Sequence, residues 1–181
     1  MFRRYYEKAK HVIMRPSKFF AGLHEAGVKE AFKMYVLLSF ISLILGIPVS
    51  YFMSQSTFLM IGITFPIYAG ITLAFWAIGL PMSFVFAGIF HLWIKLFGGK
   101  AKFHSTYQLG VYSGIPGWLV SWVPFVGFVG SIYSIVLGII GVQKIHHVSK
   151  AKAIWIYLLP VVIGLVLIIL GFAMILLSTA A

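Results

Sequence analysis

The chain has 181 residues, of which 61% are hydrophobic and 9% charged, and its mean hydropathy is +1.03. A soluble fold of this length has too little interior to bury so much apolar surface, so the composition indicates an integral membrane protein. With 14 Lys and Arg, three acids and no Cys, the chain excludes thiol catalysis and disulfides, and its basic excess favours contact with anionic lipid headgroups over nucleic acid.

Residues 1–33 form a predicted cytoplasmic segment that is basic and amphipathic. Its apolar residues recur at spacings of three and four, and the opposite side carries four cations, Arg3, Arg4, Lys8 and Lys10. This pattern is typical of a helix that lies in the membrane interface with snorkelling cations. Two interpretations stay open: a surface anchor or partner helix, and a solvated, partly frayed tail. Pro16 ends this helix, and Ser17 can cap a second short one.

Residues 34–181 form a predicted five-span transmembrane domain, so the expected fold is all-α, a polytopic membrane helical bundle. Each span needs roughly 20 apolar residues to cross about 30 Å of hydrocarbon. The spans lie at about 34–53, 68–97, 106–122, 125–143 and 153–177. The third is interrupted at Gly114-Ile115-Pro116-Gly117.

Residues 58–97 are nearly uncharged, and they fit either two crossings or one. Two crossings would place the lysines between 95 and 102 opposite the basic tail, against the tendency of Lys and Arg to remain cytoplasmic. A single crossing keeps every basic region on one side. We therefore expect residues 58–65 to form an outer-leaflet or re-entrant segment that ends at Pro66, with the second span starting near Tyr68.

Five crossings place every formal charge, and hence the whole net charge of +11, on the inner side. This distribution is a strong positive-inside signal. It predicts a cytoplasmic amino terminus, a carboxyl terminus outside, and residence in the cell membrane, which we expect to be that of a prokaryote.

Small residues recur every four positions on two of the spans. They are Gly79, Ser83 and Ala87 on the second span, and Gly130, Ser134 and Gly138 on the fourth. Such smooth faces allow close approach of a second helix. They predict tight helix packing, and they also suit self-association into a homo-oligomer.

Four histidines are expected at or near the inner face: His91, His104, His146 and His147. Imidazole suits a transition metal or a pH switch. Against these roles, the chain has no Cys or Asp, and no Glu lies near these histidines in sequence. We therefore expect interfacial packing or headgroup contact, and no cofactor. Catalysis is not expected either, because a Ser nucleophile such as Ser113 would lie far from any His base.

The stretch from Gly98 to Pro160 has a characteristic order of features. They are Gly98 to Phe103, Tyr107-Gln108, Tyr112, Ile115-Pro116, Pro124 to Gly127, Tyr133 to Gly141, His146, and Ser149 to Ala151. This order resembles the Yip family, named for Ypt/Rab-interacting proteins, and Arg15 to Phe20 is similar to its prokaryotic members. The resemblance implies a five-span helical domain with a cytoplasmic amino terminus.

In eukaryotes the Yip family is associated with vesicle traffic and Rab GTPases. Here the long acidic cytoplasmic region of those members is missing, and their Asp-Leu-Tyr-Gly-Pro motif cannot occur in a chain without Asp. The resemblance therefore implies a fold more than a function.

The leading hypothesis is a non-enzymatic scaffold that organises membrane or docks a cytoplasmic protein partner. Its basic inner face would hold anionic lipid through Arg3, Arg4, Lys8, Lys10, Lys100, Lys102, Lys150 and Lys152. The alternative is a small transporter or channel for a neutral or anionic solute, since broken helices can line a site. Ion-coupled carriers usually place an ionisable group inside the membrane, and the predicted spans carry no acid.

Overall fold

A computed structural model describes the backbone of residues 2–180 and the side chains of residues 3–174. The described residues form helices and no strand, so the expected all-α fold is confirmed. The helices are α1 (Phe2–Met14), α2 (Pro16–Ala21), α3 (Lys29–Met53), α4 (Gln55–Met60), α5 (Phe65–Leu96), α6 (Phe103–Ser113), α7 (Ile115–Val120), α8 (Val126–His146) and α9 (Lys150–Ala180).

Four helices of the described chain are long and apolar enough to cross a membrane: Lys29–Met53, Phe65–Leu96, Val126–His146 and Lys150–Met174. The remaining predicted span is divided into α6 and α7. The division lies at Gly114, where α6 ends, and Pro116 stands in the first turn of α7. Proline has no N–H to donate to the preceding turn, so a continuous helix is not favoured there. The five expected spans therefore correspond to four long helices and one broken pair.

Helices α3 and α5 pack antiparallel along most of their length. Phe32 contacts Phe84 with ring centroids 5.3 Å apart, and the Trp76 indole donates to Ser39 Oγ at 3.0 Å. At the far end, Tyr51 contacts Phe65 with ring centroids 5.2 Å apart. Helix α5 thus extends beyond the start of α3, toward the loop that leads into α6.

The segment between α3 and α5 differs in detail from the expectation. Residues 55–60 form the short helix α4, and α5 already begins at Phe65. Pro66 therefore lies in the first turn of α5 and does not end the preceding segment. The physical reason is that the fixed φ of proline suits the first helical turn, where its missing N–H has no intrahelical partner.

Helix α6 is the most buried element of the bundle. Seven of its 11 residues are buried: Thr106, Tyr107, Gln108, Leu109, Val111, Tyr112 and Ser113. Helices α1, α3, α5 and α8 all contact it. Its polar side chains must therefore find partners within the protein, because water does not reach them.

Proline inside a long helix leaves one carbonyl without its usual backbone donor. In α9 this free carbonyl accepts a hydrogen bond from another helix. Pro160 cannot donate to the carbonyl of Ile156. The Trp93 indole N–H of α5 takes its place and donates to Ile156 O at 3.0 Å. The proline thus creates a specific joint between α5 and α9.

The amino-terminal helix α1 packs against the bundle. Its apolar face is buried through Tyr5, Ala9 and Val12, and the Tyr133 hydroxyl of α8 donates to Ile13 O at 2.6 Å. The sequence leaves open a surface anchor or partner helix and a solvated, partly frayed tail; in the structure the apolar face of α1 packs against protein. An amphipathic pattern requires an apolar partner, and here the chain's own helices supply it.

Candidate functional site

The cations predicted for the basic face do not all occupy the same environment. Seven of the eight are exposed: Arg3, Arg4, Lys10, Lys100, Lys102, Lys150 and Lys152. Lys8 is the exception, because its side chain is only 13% exposed and its ammonium binds Glu25. Lys8 therefore belongs to the contact between α1 and the bundle, and the other seven side chains stay exposed.

The two basic loops lie against each other. The backbone N–H of Lys100 donates to His146 O at 3.3 Å, and the Lys152 ammonium donates to Phe97 O at 3.2 Å. These contacts join the loop between α5 and α6 to the end of α8 and to the start of α9. The exposed cations of both loops therefore share one end of the bundle.

A polar cluster beneath α1 holds the amino-terminal segment to α6. Glu25 binds Lys8 through one carboxylate oxygen and accepts a hydrogen bond from the Tyr112 hydroxyl through the other. The amide of Gln108 donates to the backbone carbonyl of Glu25 at 3.0 Å and also to that of Gly27. Tyr112 and Gln108 are buried, so α6 supplies the polar partners of this segment from its interior face.

The sequence pattern does not predict this cluster. It places Lys8 with the lipid-facing cations and indicates no role for Glu25 or Gln108. A signal existed, because Gln108 and Tyr112 are four residues apart and so share a face of an otherwise apolar helix. Buried polar groups need partners, and the three acids of the chain all lie in the amino-terminal segment.

A second ionic cluster joins α1 to the start of α3. The Glu30 carboxylate contacts the Arg4 guanidinium at 3.2 Å and the Lys33 ammonium at 3.3 Å. The Arg4 and Lys33 side chains are 66% and 42% exposed. Water and salt screen pairs as exposed as these, so they contribute little to stability.

Two of the four predicted histidines come together inside the bundle. Thr106 Oγ1 lies 2.6 Å from His91 Nδ1 and 3.0 Å from His146 Nε2, so one hydroxyl bridges both rings. His146 is fully buried. His147 is exposed and His104 half-buried, and neither makes a ring contact with this pair among the described residues. Among the side chains of residues 3–174, no three His, Cys, Asp or Glu are grouped closely enough to hold a metal.

The small residues predicted on α5 have different surroundings. The Ser83 hydroxyl lies 3.1 Å from the Tyr107 hydroxyl of α6, and Ala87 packs beside the core. At Gly79 no described heavy atom lies within 4 Å of the position that a Cβ would occupy. Ser83 and Ala87 therefore face the interior of the bundle, whereas Gly79 has open space beside it.

The small residues predicted on α8 pack within the chain. A Cβ at Gly130 would lie 2.9 Å from Pro116 O, and one at Gly138 would overlap the Tyr157 ring of α9. Ser134 accepts a hydrogen bond from the Gly117 N–H at 3.0 Å. The backbone at the start of α7 is therefore hydrogen-bonded to α8. In a carrier, by contrast, the break in a helix lines an open cavity.

These features define the class of the protein: a polytopic helical membrane protein whose amino-terminal segment docks on its own bundle. Its sequence matches the Yip1 domain family over residues 10–171. The chain therefore belongs to the Yip1 domain family. Comparison with curated proteins and with solved structures gives no match.

Proposed function

We propose that this Yip-family membrane protein is a non-enzymatic scaffold, which organises membrane or docks a cytoplasmic partner through an exposed basic face. In this proposal the protein resides in the cell membrane of a prokaryote, with its amino terminus in the cytoplasm and its carboxyl terminus outside. The basic face consists of Arg3, Arg4 and Lys10 on α1 together with the lysines of the two loops.

The observation that carries the proposal is the contact between the two basic loops. The Lys100 N–H donates to His146 O at the end of α8, and the Lys152 ammonium at the start of α9 donates to Phe97 O in the loop between α5 and α6. This arrangement gathers exposed cations at one end of an otherwise apolar bundle. Each Lys or Arg near an anionic surface contributes about 1 kcal/mol to binding, and the contribution is screened by salt.

The test uses the protein reconstituted into nanodiscs of neutral lipid and measures its binding to added vesicles. We expect binding to vesicles that contain phosphatidylglycerol, weakening as salt rises from 50 to 300 mM. Substituting Arg3, Lys10, Lys100 and Lys150 together by Gln should abolish that binding. The matched control is Gln55→Ala in α4, at the other end of α3. Equal binding by the quadruple variant and the wild-type protein would reject the basic face.

A further inference from the structure

An apolar groove of about 620 Å³ lies between α1, α3 and α5. Its lining includes Tyr5 of α1, Trp76 of α5, and Phe32, Leu37 and Phe40 of α3. The one charged side chain in this lining is Lys33, near the start of α3. The groove therefore has an apolar body and a cationic end, as an anionic amphiphile requires.

The cationic end retains a positive charge after its internal pairing. Lys33 and Arg4 both contact the single carboxylate of Glu30, at 3.3 and 3.2 Å. Two cations and one anion leave a net charge of +1, and both cations are partly exposed. The Arg4 contact uses Nη2, and a guanidinium has five N–H donors in a fork that suits a phosphate.

The length of the groove suits one leaflet. From Lys33 to Phe40 the axis of α3 advances about 10 Å at 1.5 Å per residue. Phe40 then contacts Trp76, with ring centroids 5.2 Å apart. Half of a hydrocarbon core is about 15 Å thick, so a single acyl chain that starts at Lys33 remains within one leaflet.

We infer that this groove binds an acidic glycerophospholipid, with an acyl chain along α3 and the phosphate against Lys33 and Arg4. The occupant is a membrane lipid because α3 and α5 are membrane-spanning helices, and Phe40 is 41% exposed on their surface. The headgroup of the bound lipid is acidic because the cationic end of the groove carries a net positive charge. The inference deepens the proposed function by adding a defined site that includes Lys33, a residue outside the basic face.

Occupation of the groove has a structural consequence for α1. Tyr5 forms one wall of the groove, and the other walls belong to α3 and α5. A lipid in the groove therefore contacts α1 and two membrane-spanning helices together. Bound acidic lipid should hold the amino-terminal helix on the bundle and protect it from opening.

The experiment uses the full chain, delipidated in detergent, with phosphatidylglycerol or phosphatidylcholine of identical acyl chains added before native mass spectrometry. We expect one phosphatidylglycerol to be retained in preference to phosphatidylcholine. Lys33→Gln should lower that preference about fivefold, and Lys33→Gln with Arg4→Gln about 25-fold, at the usual contribution of a near-surface cation. Lys29→Gln is the matched control, because it removes the same charge from the first turn of α3 outside the groove.

A second measurement locates the chain. Phosphatidylglycerol with brominated acyl chains should quench the intrinsic fluorescence of the wild-type protein more than that of Trp76→Phe. Equal retention of the two lipids, or equal losses for Lys33→Gln and Lys29→Gln, would overturn the inference. Equal quenching of the two proteins would overturn it as well. None of these results alters the vesicle test, which substitutes Arg3, Lys10, Lys100 and Lys150, so the two proposals fail separately.

Discussion

Replacing Glu25 with Gln tests whether a partly buried ion pair holds the amino-terminal helix on the bundle. The amide preserves the size of the side chain and removes its charge. The Lys8 ammonium then has no counterion in this cluster, and the Tyr112 hydroxyl donates to a neutral amide oxygen in place of a carboxylate oxygen. The substitution therefore perturbs the electrostatic part of the cluster and leaves its packing intact.

The expected cost follows from the burial of the pair. Removing one partner of a fully buried ion pair costs about 3–5 kcal/mol, because the remaining charge is left unpaired in a medium of low polarity. The Lys8 and Glu25 side chains are 13% and 24% exposed, so water partly stabilises the charge that remains. We therefore expect about 2–3 kcal/mol for Glu25→Gln, below the fully buried value.

Hydrogen exchange of the backbone amides in residues 2–14 measures this cost, because these amides exchange when α1 opens locally. A loss of 2–3 kcal/mol corresponds to exchange that is about 30- to 150-fold faster. The matched control is Glu7→Gln, which removes the same charge from an exposed position on α1. Equal exchange in the two variants would refute the role of the pair. In a double-mutant cycle with Lys8→Met, additive effects would refute the direct coupling of Lys8 and Glu25.

Three further predictions concern packing, the histidine bridge and topology. Gly130→Ala should cost about 1–3 kcal/mol of stability, because its Cβ would lie 2.9 Å from a backbone oxygen. The control is Gly164→Ala, which has open space around the added Cβ. Equal melting temperatures of the two variants would contradict the close contact at Gly130. Thr106→Val should lower stability by about 1–3 kcal/mol, because it leaves two histidine nitrogens without the bridging hydroxyl, while an unchanged melting temperature would show that the bridge contributes nothing. In sealed vesicles, an impermeant thiol reagent should label Lys100→Cys and Pro124→Cys from opposite faces, and labelling of both from one face would refute the odd number of crossings.

The membrane-spanning helices were the most predictable part of this fold. Uncharged apolar runs of sufficient length indicate a bilayer crossing whatever the tertiary contacts are. The interruption of the third span was also visible, because Gly114 and Pro116 act on the local backbone. The role of Pro66 was less predictable, since a proline can precede a helix or stand in its first turn, and only the helix that follows decides between them.

The periodicity of α1 predicts an apolar face but does not predict whether that face contacts lipid or protein. Lipid and the interior of a bundle are both apolar, so both satisfy a stripe formed by Tyr5, Ala9 and Val12. The same limit applies to individual cations. Lys8 and Lys10 are chemically identical and lie on the same helix, and only the position of Glu25 in the folded chain separates the paired lysine from the exposed one.

The histidine pair shows a related limit. The sequence indicated that His91 and His146 lie near one end of the bundle, but Thr106, which bridges them, is separated from them by 15 and 40 residues. A threonine in an apolar helix usually bonds to its own backbone, so its type alone predicts no such bridge. The contact forms because the first turn of α6, which carries Thr106, is buried between α5 and α8. That burial is a property of the assembled bundle.

The distribution of the acids joins the topology of this protein to its packing. Glu25 and Glu30 each bind a cation of α1, and both precede or begin the first long helix. These carboxylates therefore neutralise part of the amino-terminal charge at the place where α1 contacts the bundle. The loop lysines beyond residue 95 have no acid near them in sequence, and they remain exposed. The basic excess is thus concentrated on surfaces that the fold leaves uncovered, where it can act on an anionic partner.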